Sequence, residues 1–189
     1  MIELDLSTVD AIAVAAGPGS FTGLRIGSAT AKGLGLALDR PLISVPTVDG
    51  LAYNLYGSRD MVCPLMDARR NQAYTGLYEF DSEGMHTILE QSDPWHYEII
   101  EKVNALGRSV VFSGGWYSCF RAYIQENCQV PYTFAPAHLN KQRAAAVASL
   151  ALVLAKEGKL ENARDHKPDY LRLSQAERER KERENAGKK

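Results

Sequence analysis

The feature of this sequence that most constrains its fold is a glycine-rich turn between an apolar run and a long helical stretch. The run Ala11-Ile-Ala-Val-Ala-Ala16 is short and apolar, which predicts a buried strand. The stretch from Phe21 to Leu38 has the length and composition of a helix. The turn between them, Gly17-Pro-Gly-Ser-Phe-Thr-Gly23, therefore connects the end of a strand to the start of a helix, and this order predicts an α/β protein.

The glycine turn is a candidate anion site. Backbone N–H groups and the positive end of the helix dipole meet there, glycines let a backbone approach a ligand closely, and an arginine follows. The candidate contacts are Gly17, Gly19, Ser20, Thr22 and Arg25, with Ser20 or Thr22 also able to cap the helix. The motif has neither the Lys-Ser/Thr of a P-loop nor the spacing G-x-G-x-x-G. A tight turn that only packs strand against helix is the alternative interpretation.

The helix after the turn is apolar around most of its circumference. Arg25, Ser28, Lys32 and Asp39 form one narrow polar stripe, which predicts a helix buried on more than one face. Gly27, Ala31 and Gly35 follow at a spacing of four residues and form a flat strip on which another backbone could lie. We expect a partner helix to contact the set Gly23, Leu24, Gly27, Ala31, Gly35 and Leu38. Packing within the chain is the alternative.

The rest of the chain predicts two units and a tail. A strand at Pro41–Pro46 and a helix capped by Thr47 complete a first unit, residues 1–57. A second unit, residues 58–173, has three meander strands and then helix, strand, helix, strand, helix. Its segments are predicted at Met61–Asp67, Gln72–Phe80, Met85–Gln91, Tyr97–Leu106, Ser109–Phe112, Tyr117–Glu126, Tyr132–Phe134 and Lys141–Glu157. Residues 174–189 are a charged tail without an apolar face.

The order of elements in the second unit is that of one actin-like, or ribonuclease H-like, half-domain. The first unit shows only strand, helix, strand, helix, so the predicted fold is an actin-like α/β fold of two half-domains with the first one truncated. Lys and Arg total 22 and Asp and Glu 23, and the net charge of −1 argues against tight binding of a nucleic acid by this chain alone. We expect a cytoplasmic protein, with no membrane segment and no disulfide framework.

Several motifs in the right order resemble the bacterial TsaB (YeaZ) family of tRNA threonylcarbamoyladenosine biosynthesis proteins. They are Ala13-Val-Ala-Ala-Gly-Pro-Gly-Ser-Phe-Thr-Gly-Leu-Arg-Ile-Gly27 with Ala31-Lys-Gly33, Val45-Pro-Thr-Val-Asp-Gly-Leu-Ala52, Pro64-Leu-Met-Asp-Ala-Arg-Arg70 before Tyr74, and Pro168-Asp-Tyr-Leu-Arg172 before Ala176-Glu177. The resemblance covers nearly the whole chain. It departs from the family in one respect, because members usually open with a strand and an Ile-Asp-Thr-Ser-like turn, and nothing of this kind precedes Met1-Ile-Glu-Leu-Asp here.

The resemblance implies a non-catalytic subunit. Such a subunit pairs with the catalytic paralogue TsaD and works with the ATPase TsaE, and the complex moves a threonylcarbamoyl group from its adenylate to an adenosine beside the anticodon of tRNA. It implies no cofactor for this chain alone, ATP and a metal for the partner subunits, and contact with tRNA only through the complex. A homodimer is expected when the chain is isolated.

An enzyme is the alternative, either a nucleotide-dependent transferase or a glycoprotease-like metallopeptidase. The two metal-binding histidines of the paralogue align with Thr47 and Leu51, which cannot replace imidazole ligands, so no metal site is expected. Asp67 and Arg69, at the end of a predicted strand, could grip a phosphate or a partner carboxylate. A local ion pair that holds the turn is the other interpretation of these two residues.

Overall fold

The computed structural model describes residues 5–68, 72–91, 98–115 and 117–170, and its elements follow the predicted order. They are β1 (Ile12–Gly17), α1 (Phe21–Leu38), β2 (Leu42–Pro46), α2 (Thr47–Ala52), β3 (Met61–Asp67), β4 (Ala73–Thr75), β5 (Leu77–Phe80), β6 (Met85–Leu89), α3 (Glu98–Leu106), β7 (Val110–Ser113), α4 (Tyr117–Asn127), β8 (Tyr132–Phe134) and α5 (Ala144–Lys156). Short 3-10 helices lie at Leu6–Thr8, Tyr53–Leu55 and Ala137–Leu139. The bounds predicted for α1 are confirmed.

The first sheet consists of β1 and β2, which pair in parallel with Ile12 opposite Leu42. Successive side chains of these strands point to opposite faces, and both faces are apolar, as a sheet buried on both sides requires. Ile43 and Val45 pack against Leu150 and Ala151 of α5 on one face. On the other face, Leu42 packs against Ala31 of α1. The first sheet is therefore the middle layer between α1 and α5.

The second sheet has six strands. Its order is β6-β5-β3-β7-β8, and β4 also pairs with β3. Strands β3, β7 and β8 run parallel, whereas the meander strands pair antiparallel. Helices α3 and α4 cover one face, and Ile99, Phe112 and Ile124 lie in that core. Helix α2 covers part of the other face, where Val48 packs with Val62 and Tyr78.

Two local predictions were wrong. Thr47 does not cap α2, because Pro46 is the N-cap and offers no side-chain bond, and the Thr47 hydroxyl is used elsewhere. The predicted strand Gln72–Phe80 is divided at Gly76 into β4 and β5. The Tyr78 ring lies so close to Gly76 that a Cβ atom there would have no room.

The boundary between the two units needs a correction. Helix α5 and the segment 157–170, which we call the C-terminal strap, fall in the predicted second unit by sequence, yet they pack on the first sheet. Glu161 and Leu42 exchange two backbone hydrogen bonds of 3.0 and 2.9 Å. The first unit is thus built from both ends of the chain, which the order of elements alone does not show. The predicted tail lies outside the described residues.

No helix in the described ranges is both long and apolar enough to cross a lipid bilayer.

Candidate functional site

The glycine turn is held by hydrogen bonds from several elements. Ser20 is the N-cap of α1, and its Oγ accepts a bond of 3.4 Å from the backbone N–H of Gly23. The N–H of Gly17 donates to Oγ1 of Thr47 at 3.1 Å, and the carbonyl oxygen of Gly17 accepts from Nε2 of Gln91 at 3.4 Å. The turn therefore joins β1 to α2 and to the segment that follows the meander.

The C-terminal strap lies against the same turn. Gly17 has a φ of +134°, and a Cβ atom there would collide with the backbone carbonyl oxygen of Asp169. The backbone N–H of Asp169 donates to the carbonyl oxygen of Ala16 at 2.7 Å, and the ring centroids of Tyr170 and Phe21 are 5.2 Å apart. Only glycine meets both requirements at position 17, namely the positive φ and the close approach of the strap.

The residues predicted to contact an anion have different environments in the structure. The guanidinium of Arg25 lies over the Phe21 ring, 4.9 Å from its centroid, and Thr22 is exposed on the first turn of α1. Gly19 packs against Leu24. Asp67 is exposed at the end of β3, where its neighbour Met66 lines a groove together with Gly19 and Ser20. Arg69 lies outside the described residues.

An actin-like fold implies a nucleotide phosphate near this turn, and some of the turn's donors already have partners within the chain. The N–H groups of Gly17 and Gly23 already donate within the chain, and Arg25 is engaged with Phe21. These bonds agree with the tight-turn interpretation, and contact of the turn with an anion stays a prediction. Weak or absent ATP binding by the chain alone stays a prediction.

The polar stripe of α1 anchors the C-terminal strap. Lys32 donates from Nζ to the carbonyl oxygens of Arg164 and His166, at 2.8 and 3.0 Å. Ser28 Oγ lies 3.0 Å from Nε2 of His166, and Nδ1 of His166 lies 2.8 Å from Oε1 of Glu161. Ser44 on β2 also bonds to His166 and Glu161. These bonds satisfy polar groups that would otherwise be buried without partners.

The series Ser28, His166 and Glu161 has the connectivity of a hydrolase triad, but not its accessibility. His166 is 1% exposed and Ser28 is 4% exposed, so a substrate carbonyl could not reach the serine oxygen without displacement of the strap. The arrangement is therefore structural. Sequence reasoning noted the polar stripe but missed the strap, and a Ser and a Lys on an otherwise apolar helix were the signal of a polar partner within the chain.

The side of α1 that carries Leu24, Ala31 and Gly35 faces inward. This corrects the prediction that these three residues contact a partner helix. Leu24, Ala31 and Gly35 are buried within the chain. A Cβ atom at Gly35 would lie 2.8 Å from Cβ of Ala163 and 3.0 Å from a methyl group of Leu42, so the strap and β2 occupy the space intended for a partner. Gly27 and Leu38 are half-buried at the flank, and Gly23 is exposed.

The opposite side of α1 is apolar and exposed to solvent. We define the outer face of α1 as the residues that project away from the strap and from β2 at about 100° per residue. They are Gly23, Ile26, Ala29, Thr30, Gly33, Leu34 and Ala37. Ile26 is 64% exposed and Leu34 is 45% exposed, and none of the seven carries a charge. The alternative that packing within the chain alone covers α1 therefore fails for this side, and a partner helix on it stays a prediction.

Several side chains relevant to the enzyme alternative have structural roles. Thr47 holds Gly17, and Leu51 is 2% exposed in the core, so both positions aligned with metal-binding histidines serve packing here. Burial raises the pKa of the Cys63 thiol to about 12, which leaves it protonated and a poor nucleophile at neutral pH. Tyr78 donates to Oδ1 of Asp49 at 2.6 Å, and burial raises the pKa of that carboxyl.

Comparisons with known proteins give a consistent result. The family model for TsaD, tRNA N6-adenosine threonylcarbamoyltransferase, matches residues 1–180. The chain is 33% identical over 177 residues to the tRNA threonylcarbamoyladenosine biosynthesis protein TsaB of Bacillus subtilis, an alignment that covers 94% of this chain and 74% of that protein.

Solved structures show the same relationship. The structure of YeaZ from Pseudomonas aeruginosa is similar with a TM-score of 0.71 and 28% identity, over 88% of this chain and 76% of that one. A second structure, described as an uncharacterized protein with similarity to the peptidase YeaZ from Pseudomonas aeruginosa, has a TM-score of 0.72 and 29% identity, over 89% and 76% of the two chains.

The two sheets with their flanking helices thus form an α/β protein of the actin-like class, as predicted. Within that class, the match to the Bacillus subtilis protein over most of both chains decides the family. The chain belongs to the TsaB family.

Proposed function

We propose that this chain acts in the biosynthesis of threonylcarbamoyladenosine in tRNA, as the name of its Bacillus subtilis relative states for that protein. Its role is that of a non-catalytic subunit that pairs with a TsaD-like paralogue and works with a TsaE-like ATPase. The observation that carries this proposal is the uncharged apolar outer face of α1, exposed at Ile26 and Leu34. Exposed apolar faces of this kind mark protein interfaces.

The outer face suits a helix of a second polypeptide. Gly33 has no atom of the rest of the chain within 4 Å of the position of its missing Cβ, so a partner backbone could approach closely there. Ile26 and Leu34 lie near Gly33 on the outer face and would pack into the grooves of the facing helix. In the absence of the paralogue, the same face of a second copy is the natural partner, because two identical faces are complementary about a two-fold axis.

The enzyme alternatives have less support from the described residues. A metallopeptidase needs ligands at the positions that Thr47 and Leu51 occupy. A nucleotide-dependent transferase needs phosphate donors, and two N–H groups of the glycine turn, those of Gly17 and Gly23, already donate within the chain. The Ser28–His166–Glu161 series is covered by the strap. We therefore propose no catalytic activity of the isolated chain from these groups.

Reconstitution tests the proposed function. Purified TsaD-like and TsaE-like proteins are incubated with ATP, threonylcarbamoyl-adenylate and unmodified tRNA, with or without this chain, and the modified nucleoside is measured by mass spectrometry after digestion. We expect modification only with this chain present, and restoration by wild type and by Leu152→Glu but not by Ile26→Glu. Leu152 on α5 is 67% exposed, so it is a matched change outside the outer face. Equal modification without this chain would refute the role.

A further inference from the structure

A pocket of about 450 Å³ lies between α5 and the 3-10 helix Tyr53–Leu55. Tyr56 and this 3-10 helix form one wall, and Arg143 and the first two turns of α5 form the other. None of the residues that line it belongs to the glycine turn or to the outer face of α1. The pocket is thus a separate feature of the molecule, and the proposed pairing makes no use of its polar groups.

The aromatic wall of this pocket is an exposed ring that its neighbours hold in place. Tyr56 is 57% exposed. Its ring centroid lies 5.1 Å from that of Tyr53 and 5.6 Å from that of Phe80, so two rings of the chain support it. A flat ligand ring can stack on such a side chain at a small cost in conformational entropy, because the tyrosine is already held.

The charge of the pocket is positive. Arg143 is the only charged residue among the described residues that line it. Arg143 is exposed, and its guanidinium forms no hydrogen bond or ion pair with the described part of the chain. A guanidinium in this state offers paired N–H groups to phosphate or carboxylate oxygens. The pocket therefore favours an anion that also carries a flat ring.

Two oxygen atoms of the pocket residues can only accept a further hydrogen bond. Nδ2 of Asn54 donates to the carbonyl oxygens of Leu139 and Lys141, at 3.0 and 2.9 Å, which fixes the orientation of the amide. Oδ1 of Asn54 is buried and has no hydrogen-bond partner within the described residues. Oγ of Ser149 donates its proton to the carbonyl oxygen of Ala145 at 2.8 Å. Because an unpartnered buried acceptor is unfavourable, a ligand that brings N–H donors is preferred.

From these groups we infer that the pocket binds a nucleoside monophosphate whose base carries an exocyclic amino group. The base stacks on Tyr56, its amino group faces the acceptors of Asn54 and Ser149, and the phosphate contacts Arg143. A free nucleotide and an unpaired nucleotide of single-stranded RNA present the same ring, amine and phosphate, so either can supply the ligand. With one arginine the binding is weak, in keeping with the net charge of −1.

Titration of adenosine monophosphate into the full chain tests this inference without any partner protein. Backbone ¹H–¹⁵N NMR shifts report binding, and we expect saturable shifts at Tyr56, Ala145 and Ala146 with half-saturation in the millimolar range or below. Inosine monophosphate is the matched control ligand, because a carbonyl oxygen replaces the exocyclic amine of adenine. It should bind at least fivefold more weakly, since its oxygen would face acceptors.

Two pairs of protein variants locate the site. Tyr56→Ala should weaken binding of adenosine monophosphate at least fivefold, and Tyr56→Phe, which keeps the ring, should bind as wild type does. Arg143→Gln should also weaken binding at least fivefold. Arg121→Gln removes an exposed arginine of α4 outside the pocket and should leave binding unchanged. Circular dichroism checks that each variant is folded.

A short oligoadenylate with unphosphorylated ends distinguishes the two sources, and whichever of the two ligands saturates the same resonances at the lower concentration identifies the source. Four results would overturn the inference: no saturable shift with either ligand, equal binding of the adenosine and inosine nucleotides, equal losses in Arg143→Gln and Arg121→Gln, or tighter binding of tryptophan than of adenosine monophosphate at the same residues. Because no TsaD-like protein is present, each of these results is independent of the proposed function.

Discussion

At the scale of single residues, Gly17 links three parts of the molecule. Its N–H bonds to Thr47, its φ is positive, and its Cα faces the carbonyl oxygen of Asp169 in the strap. The sequence indicated a turn here from glycine and proline, which is a local signal. It could not indicate the close approach of Asp169, because that contact joins residues about 150 positions apart and depends on where the strap runs.

Gly17→Ala is therefore expected to destabilise the protein. The change adds a Cβ atom at a positive φ and against the Asp169 backbone, and we expect a loss of about 1–3 kcal/mol in the free energy of unfolding. Urea unfolding followed by circular dichroism measures this loss. Gly19→Ala is the control, since its Cβ atom would meet only the Leu24 side chain at 3.6 Å and it should cost much less. Equal stability of the two variants would contradict the role of Gly17.

Asp49 gives a prediction about pH. Burial raises the pKa of its carboxyl above the ordinary value, and the unfolded chain keeps that ordinary value. This group thus contributes stability below its ordinary pKa, and the contribution is lost as pH rises through the raised pKa of the folded state. Asp49→Asn keeps an acceptor for Tyr78 and cannot titrate, so the difference in unfolding free energy between variant and wild type should grow in favour of the variant from pH 3 to pH 7. A difference independent of pH would show that Asp49 titrates as in the unfolded chain.

At the scale of elements, α1 shows what a helical pattern can and cannot predict. Its bounds and its position between strands follow from spacing and from the turn before it. The pattern also showed apolar residues around most of the helix, but it did not show which side meets the chain itself. The strap decides this, and it places Gly35 inward against Ala163 and leaves Gly33 open to solvent.

A pair of glycine substitutions tests this orientation. Gly33→Ala should raise the free energy of unfolding by up to about 1 kcal/mol, because alanine has the higher helix propensity and nothing lies near the new methyl group. Gly35→Ala places its methyl group 2.8 Å from Ala163 and should lower the stability or gain nothing. Chemical unfolding at low protein concentration, where association is minimal, makes the comparison. Equal gains for both variants would mean that the strap does not cover Gly35.

At the scale of the whole molecule, the family resemblance was the strongest prediction from sequence, because its motifs spread along the chain in order. The actin-like class and the TsaB family are both confirmed. The division into two consecutive units was less accurate. Periodicity assigns each segment a type, but it does not say that α5 leaves the second sheet to pack on Ile43 and Val45 of the first.

Self-association of the isolated chain follows from the outer face of α1. We expect a homodimer in light scattering that dissociates in Ile26→Glu, because the variant would bury an unpaired carboxylate between two apolar helices. The circular dichroism spectrum should stay that of wild type, since Ile26 is exposed in the single chain. A dimer that persists in Ile26→Glu would place the contact on another surface.

We propose that the outer face of α1 recognises a TsaD-like paralogue, and sedimentation velocity of the two proteins mixed at equal concentration can test this recognition. Wild type and Leu152→Glu should each form a complex of one copy of each protein, and Ile26→Glu should weaken it at least a hundredfold, which corresponds to about 2.7 kcal/mol. If Ile26→Glu binds the paralogue as tightly as wild type does, the outer face is not the recognition surface.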